Sequence, residues 1–585
     1  MRLFIAEKPS LARAVAGNFK SERRAEGYIE VDGGDVVTWC YGHLLENVSP
    51  EEYDPKYKVW RLDTLPIQVA EWRLKPCARA TEQLNVIKGL LRRATVVVNA
   101  GDPDREGQLL VDEVLHFYGW KGKTERLLLN ATDPGSVKKA MASIRDNKEF
   151  RPLYEAALCR SRADWLVGMN LTVAATKTFG NGKTVSVGRV QTPTLALIVK
   201  RDLEIENFKV SSFYYVTADV ETDGGKLVME CNPQGADRIL DQKIAKDLAE
   251  KIKGQSFPLS VERKKSRDLA PLPYMLATFQ KDAETYLGVG AKQALDILQV
   301  LYEQKLTSYP RSDCEYLPGE QAGAAVGIAN AILGYGALPD FNLHALLKPS
   351  PRIYDSKKVA EHHGIIPTGR LPQNNLLEPK LRKAWDLICK RFVASLLPDY
   401  EYEETRVSFS VDGRRFDCVG EVPLNAQKSW RALYPRESTP LPLKGTPATG
   451  KVTKATVKDG KTTPPKPYTE ASLIADMRGI AKYVSDESLK EILKETSGIG
   501  TAATQAAIIE TLKKREAIKV EKKKLVSTPF GRMVISRMPD AMTDPSVTAT
   551  WEYTLGLIAK GKYNPTHFMN GIDSFIKGQL TEFSK

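Results

Sequence analysis

Residues 95–107 constrain this chain more than any other stretch. Thr95-Val-Val-Val-Asn-Ala100 is a short β-branched run of the kind that forms a buried parallel strand. It passes directly into Gly101-Asp-Pro-Asp-Arg-Glu-Gly107, after which Leu109, Leu110, Glu113, Val114 and Phe117 recur at helical spacing. A strand that feeds a helix through so short a turn predicts an α/β unit. It also sets three carboxylates, Asp102, Asp104 and Glu106, at alternate positions beside the strand's carboxyl end, where open α/β sheets bind ligands. Crowded carboxylates raise one another's pKa, so ionising all of them calls for a cation. Hard oxygen ligands with room for water suit Mg²⁺. A solvated acidic turn would carry the same residues, and the amino terminus is what tells against it.

Arg2-Leu-Phe-Ile-Ala6 reads as another strand and ends in Glu7-Lys8-Pro9-Ser10. Ser10 is the expected N-cap of a helix over Leu11–Phe19. With both strands in one parallel sheet, Glu7 joins the acidic triad at one edge, and Lys8 beside it can hold a phosphate. Carboxylates around a metal with an adjacent lysine describe phosphoryl-transfer chemistry. A glutamate after the first strand and an Asp-x-Asp after a later one resemble the toprim domain, which topoisomerases, primases and some nucleases share.

Leu301-Tyr-Glu-Gln-Lys-Leu-Thr-Ser-Tyr-Pro-Arg-Ser-Asp-Cys314 distinguishes among these. It follows an amphipathic helix in which Leu295, Leu298 and Tyr302 share a face, and it sets Tyr309 in an extended segment with Arg311 two residues on. This segment resembles the active-site signature of type IA DNA topoisomerases, which implies that Tyr309 attacks a DNA phosphate. A phenol has a reference pKa of about 10 and is a weak nucleophile near neutrality. It needs activation and a nearby cation, and Arg311 can stabilise charge on the phosphate oxygens. A tyrosine in a strand is by itself far more often a core or edge residue; the flanking motif carries the reading.

Further blocks follow in the family's order. Ala157-Leu-Cys-Arg-Ser-Arg-Ala-Asp-Trp-Leu-Val-Gly168 and Ser186-Val-Gly-Arg-Val-Gln-Thr-Pro193 resemble blocks that line the family's single-strand groove. Lys357-Lys-Val-Ala-Glu-His-His-Gly-Ile-Ile-Pro-Thr368 resembles the block that places a histidine, here His362, near the tyrosine. Ser497-Gly-Ile-Gly-Thr-Ala-Ala-Thr504 resembles a late glycine-threonine block. The resemblance implies a catalytic set of Tyr309, Glu7, Lys8, Arg311 and His362. It implies metal contacts at Glu7, Asp102, Asp104 and Glu106. For DNA it implies contacts at Trp60, Arg160, Arg162, Ser186, Val187, Gly188, Arg189, Val190, Gln191 and Arg311. Taken singly, each of these arginines would be read as a solvated surface charge.

Charge and length agree. The net charge of +13 favours a polyanionic partner. A chain of 585 residues suggests roughly four domains. Seven cysteines without a CxxC pair imply neither a disulfide framework nor a zinc site. The amino terminus enters a strand at once, so no signal peptide is expected. The longest apolar stretch, Ala322 to Leu338, is broken by Gly and Asn and is not expected to span a bilayer. A cytoplasmic, nucleoid-associated protein is therefore expected. Gly182-Lys183-Thr184 and Gly460-Lys461-Thr462 mimic half of a P-loop, but Lys177 and Ala455 stand where the first glycine should be, so no ATP is expected.

The organisation is discontinuous. Residues 1–150 alternate strand and helix signals and form the expected toprim domain. Residues 151–206 are helical and, with 465–585, form the expected single-strand DNA-binding domain. A hairpin pattern from Phe213 turns at Asp223-Gly224, and another from Arg406 turns at Asp412-Gly413. A third Asp-Gly turn is expected at 459–460. These place a β-rich arch over 207–267 and 401–464, interrupted by a helical domain over 268–400 that carries Tyr309. Near the end, Gln505–Arg515 reads as a helix followed by a basic two-stranded element over Ile518–Val526, helix then wing.

The fold class expected is thus a multidomain α/β plus α and β toroid. The function expected is that of a type IA topoisomerase of the topoisomerase III subgroup, using Mg²⁺ and no ATP. It would cut one strand through a 5′-phosphotyrosine, pass another through, and reseal. The implied partners are single-stranded, negatively supercoiled or catenated DNA, with a RecQ-type helicase and a single-strand-binding protein left open, no membrane, and a monomeric state. The subgroup follows from Glu7-Lys8-Pro9-Ser10, from Ser308-Tyr-Pro-Arg311 and from the absence of cysteine-rich modules. No long inserted loop of the kind associated with decatenation is identified between Trp430 and Pro442. A toprim nuclease or primase, which would not need Tyr309, and a basic DNA-binding protein with a decayed site are the alternatives.

Overall fold

The computed structural model describes residues 1–129, 134–231, 238–339, 342–359, 362–373, 377–484, 486–488, 490–491 and 498–583. Ala360, Glu361 and Ser497, which belong to blocks named above, lie outside the described residues.

The strand Arg2–Ala6 is the centre of a seven-stranded sheet. It pairs in parallel with Val36–Trp39 on one side and Val96–Ala100 on the other. Both runs are apolar on both faces because both faces are covered: Leu3 and Ile5 pack toward the helix Thr81–Leu91, Phe4 and Ala6 toward Pro9–Ala16. The register pairs Ala6 with Ala100. Glu7 and Gly101 therefore leave the sheet side by side.

Helix Pro9–Ala16 begins two residues earlier than expected. Pro9 occupies its first position, which suits a residue with no N–H and a fixed φ, and Lys8 is the N-cap without a side-chain cap bond. Ser10 is inside the helix, and its hydroxyl is used elsewhere.

A second seven-stranded sheet is wholly antiparallel and holds both hairpins, Ser212–Thr222 with Gly225–Cys231 and Tyr400–Val411 with Arg414–Pro423. The turn at Asp412-Gly413 has positive φ at both residues, as a two-residue hairpin requires. The expected turn at Asp459-Gly460 does not occur. Strand Thr449–Lys461 runs straight through it, with Asp459 opposite Tyr214 and Gly460 opposite Phe213. The glycine serves the neighbour: a Cβ at Gly460 would sit 2.4 Å from the Phe213 ring, which lies over the bare backbone.

The helical block carrying Tyr309 is spliced into this sheet at one point. Strand Ser260–Asp268 ends with Asp268 directly opposite Tyr400, so the chain leaves and re-enters at paired residues. Between them, Trp385, Phe392, Leu298 and Tyr274 anchor a core of their own. A further core unites the helix Arg151–Phe179 with Gln191–Glu206, Ser546–Ala559 and Pro565–Phe583, across almost four hundred residues of sequence. Among the described residues no helix is long and apolar enough to cross a membrane.

Candidate active site

The acidic turn is held from beneath. Arg126, 1% exposed, donates through Nη1 to the carbonyl oxygens of Gly101 (2.7 Å) and Asn99 (3.2 Å) and through Nη2 to that of Asp102 (2.6 Å). Nε reaches Gln108 Oε1 at 2.8 Å. Burial among these partners pulls the guanidinium down to about 10, still charged at neutral pH. The two glycines that bracket the motif touch each other. A Cβ on Gly101 would lie 2.1 Å from the Gly107 oxygen, and one on Gly107 would lie 2.4 Å from the Asp102 oxygen. Neither position accepts a side chain.

The carboxylates then separate by environment. The backbone N–H of Asp102 donates to Glu7 Oε2 at 3.2 Å, which fixes the two at the sheet edge. Burial, then the charge of Asp102, pushes Glu7 up to about 7, with Lys8 opposing. Asp102 is buried too, yet His362 and Lys8 hold it at about 2; Lys8 Nζ lies 2.7 Å and His362 Nε2 3.5 Å from the same Oδ2. Asp104 caps the helix Arg105–Phe117, accepting the Gly107 N–H at 2.6 Å, and burial raises its pKa. Glu106 turns away. Burial opposes its ionisation, but His43 and Arg160 hold it at about 2, Arg160 at 2.7 Å.

Tyr309 faces this edge from the inserted block. Its ring centroid lies 4.2 Å from that of His362 and 5.7 Å, edge-on, from that of Tyr302. Lys8 Nζ stands 3.8 Å from the same ring. Burial pushes the phenol up to about 12, against the pull of Lys8, so it is protonated at neutral pH. Tyr302 ties the two units together: its hydroxyl donates to Ser10 Oγ at 3.2 Å.

Beside the cluster opens a cavity of about 970 Å³. Arg311, His362, Arg160, Gln191 and Arg478 line it, and so do the bare backbones of Gly188, Gly498 and Gly500. At Gly188 a Cβ would meet Gln191 only at ordinary contact distance, so the protein itself does not demand a glycine there. Most of the arginines already have carboxylate partners. Arg189, 5% exposed, pairs with Asp164 (2.6 Å) and Glu552 (2.8 Å); Arg105 pairs with Glu552 (2.6 Å), and Arg478 with Asp313. Arg311 is exposed and makes no ion pair among the described residues.

Not every expected DNA contact lies here. Arg162, two positions beyond Arg160 on the same helix, points to the other side. It stacks on Trp72 at 5.1 Å and lines a separate cavity, because residues two apart do not share a helix face. Val187 is a core residue, 4% exposed, and Ser186 is spent on Gln191 through a 3.3 Å bond. Trp60 is half-buried in a loop and does not line the groove. Conversely Arg126, His43, Arg478 and Glu552 were not singled out from the sequence. Each is a lone charge whose partner lies far along the chain, so spacing carried no signal.

The donor chemistry suits a divalent cation in part. Glu7 and Asp104 are both raised by burial and by Asp102, the strain that a cation relieves. Asp102 already serves Lys8 and His362, and among the described residues no three His, Cys, Asp or Glu side chains form a ready ligand cage.

Carboxylates and a lysine at the edge of a mixed α/β sheet, confronted by a tyrosine from an inserted helical unit, are the arrangement expected of a type IA topoisomerase, and the comparisons show that family. The chain belongs to the DNA topoisomerase family, type IA: it matches the family of that name over residues 148–570 and the Toprim domain over 2–133. Its relatives include DNA topoisomerase 3 of Pasteurella multocida, 38% identical over 98% of this chain and 94% of that one. DNA topoisomerase 3 of Salmonella typhimurium is 39% identical over 100% and 94%. The full-length topoisomerase I of Thermotoga maritima shares the fold, with a TM-score of 0.72 at 20% identity over 99% of this chain and 90% of that one.

Proposed function

We propose that the chain relaxes negatively supercoiled DNA, with decatenation as a further outcome, through a 5′-phosphotyrosine on Tyr309. The observation that carries this is the meeting of Tyr309 with Lys8, His362 and Asp102 across the boundary between two units. A single strand lies in the groove lined by Arg311, Arg160 and Gln191. Tyr309 Oη attacks the phosphorus and the P–O3′ bond breaks. Lys8 and Arg311 stabilise charge on the phosphate oxygens, and His362 positions the phenol. The phenol loses a proton to solvent. The departing 3′ oxygen gains one from Glu7, whose position near 7 suits a group that gives and retrieves a proton at neutral pH. The ester keeps the bond energy, so resealing by the 3′ hydroxyl needs no ATP.

Asp104 and Asp102 would hold Mg²⁺, with Glu7 as an additional contact in the alternative where it is ionised and does not serve as the proton donor; the ion would supply charge neutralisation at the phosphate. Glu106 is held by Arg160 and His43 and is better read as a support of the groove wall. On this reading the inserted block swings away as a gate and another strand passes through. The inserted block is joined to the arch at Asp268 and Tyr400 and meets the Toprim sheet through side chains such as Tyr302 and Lys8. The chain works as a monomer on this reading, in the cytoplasm at the nucleoid, with a RecQ-type helicase and a single-strand-binding protein as suppliers of unpaired substrate. The test is to incubate the protein with end-labelled single-stranded oligonucleotide and denature: covalently attached label is expected, whereas free fragments would mean a nuclease and intact DNA a binding protein.

A further inference from the structure

The helix Ala291–Glu303 of the inserted block is tied at both ends to other units. At its C-terminal end Tyr302 donates to Ser10 of the Toprim unit and packs edge-on against Tyr309. At its N-terminal end, roughly 17 Å away at the rise of a helix, it meets the unit built around Arg151–Phe179. Gly290 is the N-cap residue and has no side chain to offer; the Ala291 N–H donates instead to Glu470 Oε2 at 2.7 Å. A helix of one unit is thus capped by a carboxylate of another.

The fit depends on that glycine. A Cβ on Gly290 would lie 2.8 Å from Glu470 Oε2, although the backbone there, at φ −75°, accepts any residue. Glu470 begins the helix Glu470–Arg478, whose own cap is Thr469, and its other carboxylate oxygen pairs with Lys513. Ala291 is buried in the core of the Arg151–Phe179 unit, not in that of its own block. Two further ties cross the same boundary: Thr469 Oγ1 donates to Glu284 Oε2 at 2.8 Å, and Arg478 pairs with Asp313. Arg478 and Asp313 line the groove, so an entering phosphate competes for Arg478 and loosens that tie. Glu470 is not part of the groove lining, and its hold on Ala291 outlasts strand entry.

We propose that Glu470 is a positioning residue that latches the gate: it caps, from across the boundary, the helix that ends on Tyr309, and it lets go at each strand passage. A carboxylate on a backbone N–H is a charge-assisted bond, strong enough to favour the closed state. Its release leaves no buried orphan. Glu470 keeps Lys513, and water takes up both the carboxylate and the Ala291 N–H. The latch itself stands on the contacts at Glu470; its part in turnover rests on the reading of Tyr309 and the gate given above.

Open and closed states can be counted in the full chain without DNA. Nitroxide-bearing unnatural amino acids at Lys292 and Lys514, both exposed and on opposite sides of the boundary, report their separation by double electron–electron resonance. The unaltered chain should show one short distance. Glu470→Ala should add a longer one, with the open-to-closed ratio raised about tenfold, the scale of one charge-assisted hydrogen bond. Gly290→Ala, which pushes Glu470 aside and leaves its charge in place, should do the same. Glu470→Gln keeps an acceptor for Ala291 and should restore most of the closed state. Adduct yield on a short single strand should be unchanged in Glu470→Ala, while plasmid relaxation quickens about threefold because gate opening limits turnover. Identical distances in all four proteins would overturn the latch. So would unchanged relaxation with shifted distances, or a loss of adduct parallel to the loss of the closed state, which would make Glu470 a support of the fold. Should Glu470→Ala not fold, Gly290→Ala decides. Absence of adduct from the unaltered chain would sink the Tyr309 reading, while the distances still decide whether Glu470 holds the two units together.

Discussion

The ammonium of Lys8 lies over the face of the Tyr309 ring, 3.8 Å from its centroid, while donating to Asp102 at 2.7 Å. One cation thus contacts a tyrosine ring and a carboxylate that come from different units of the fold. In the resting state it is balanced by Asp102. When a phosphate enters, the same ammonium can follow the charge as it shifts from carboxylate to phosphate and phenolate.

Lys8→Met keeps the aliphatic length and removes the charge. The phenol of Tyr309 should rise further, since burial would act without opposition from Lys8. Adduct formation should fall about 10²–10³-fold, the scale of losing one preorganised donor. Single-strand affinity should change only a few-fold. Rapid-quench adduct yields against fluorescence anisotropy would separate the two, and wild-type cleavage by Lys8→Met would remove the lysine from the chemistry.

Tyr309→Phe deletes only the hydroxyl. The contacts with His362 at 4.2 Å and Tyr302 at 5.7 Å are ring contacts and should survive, so the fold and the groove should be unchanged. Binding is expected to persist while the covalent adduct disappears from denaturing gels. Retained adduct would mean that another of the twenty-two tyrosines is the nucleophile.

Asp104 has two jobs that substitution can part. As an N-cap its loss to Ala costs about 1 kcal/mol, whereas Asn caps nearly as well. Asp104→Asn should therefore melt within a degree or two of the unaltered chain yet need a higher Mg²⁺ concentration for relaxation. Asp102→Ala with Asp104→Ala should abolish Mg²⁺-dependent relaxation. Full relaxation by the double variant in chelator-treated buffer would take the metal out of the mechanism.

What was legible in the sequence was the local chemistry. The β-branched run into Gly101–Gly107 predicted strand, turn and helix because each residue type there has a local reason, and the register of Ala6 with Ala100 brings Glu7 to that edge. What was not legible was pairing at a distance. Arg126 supports the acidic turn from the next strand, and Glu552 reaches Arg105 from 447 positions away, and neither leaves a spacing to read. Asp459-Gly460 misled because a turn dipeptide and a glycine beneath an aromatic ring look the same in sequence. Arg162 lies apart from Arg160 because a motif places residues in order and not on a helix face.

Glu552 binds two arginines at the groove, and Arg189 beside it is 5% exposed. Burial works against its ionisation, yet Arg189 and Arg105 hold it at about 2. The unfolded glutamate titrates near 4.3. Its contribution is thus complete above that pH and is lost as pH falls toward about 2. Glu552→Gln should cost roughly 1.5–3 kcal/mol at neutral pH, the range for hydrogen bonds to charged groups. In urea unfolding at several pH values the gap between the two proteins should be level above pH ~5 and close on acidification. A gap that is constant down to pH ~2 would show that the charge contributes nothing.

The groove's arginines set the last expectation, which concerns substrate and salt. Arg160, Arg189 and Arg478 are each paired with a carboxylate, so a phosphate must displace Glu106, Asp164 or Asp313 before it gains the cation. Arg311 makes no ion pair among the described residues and is available at once. Fewer phosphates should therefore be neutralised than the number of groove arginines suggests. Each contact on a single strand contributes a slope of about −0.7 in log K against log salt. A slope no steeper than about −2 to −3 corresponds to three or four contacts, and Arg311→Ala should reduce it by close to one contact. The attacked phosphate must reach Tyr309 between Lys8 and His362, which a single extruded strand can do and a stacked duplex cannot. Negative supercoiling favours local melting, so relaxation should proceed without ATP in single linking-number steps and quicken with heat or an engineered bubble. Positively supercoiled plasmid without a bubble should stay nearly untouched. Equal relaxation of both signs, or steps of two, would contradict cleavage of one strand at Tyr309.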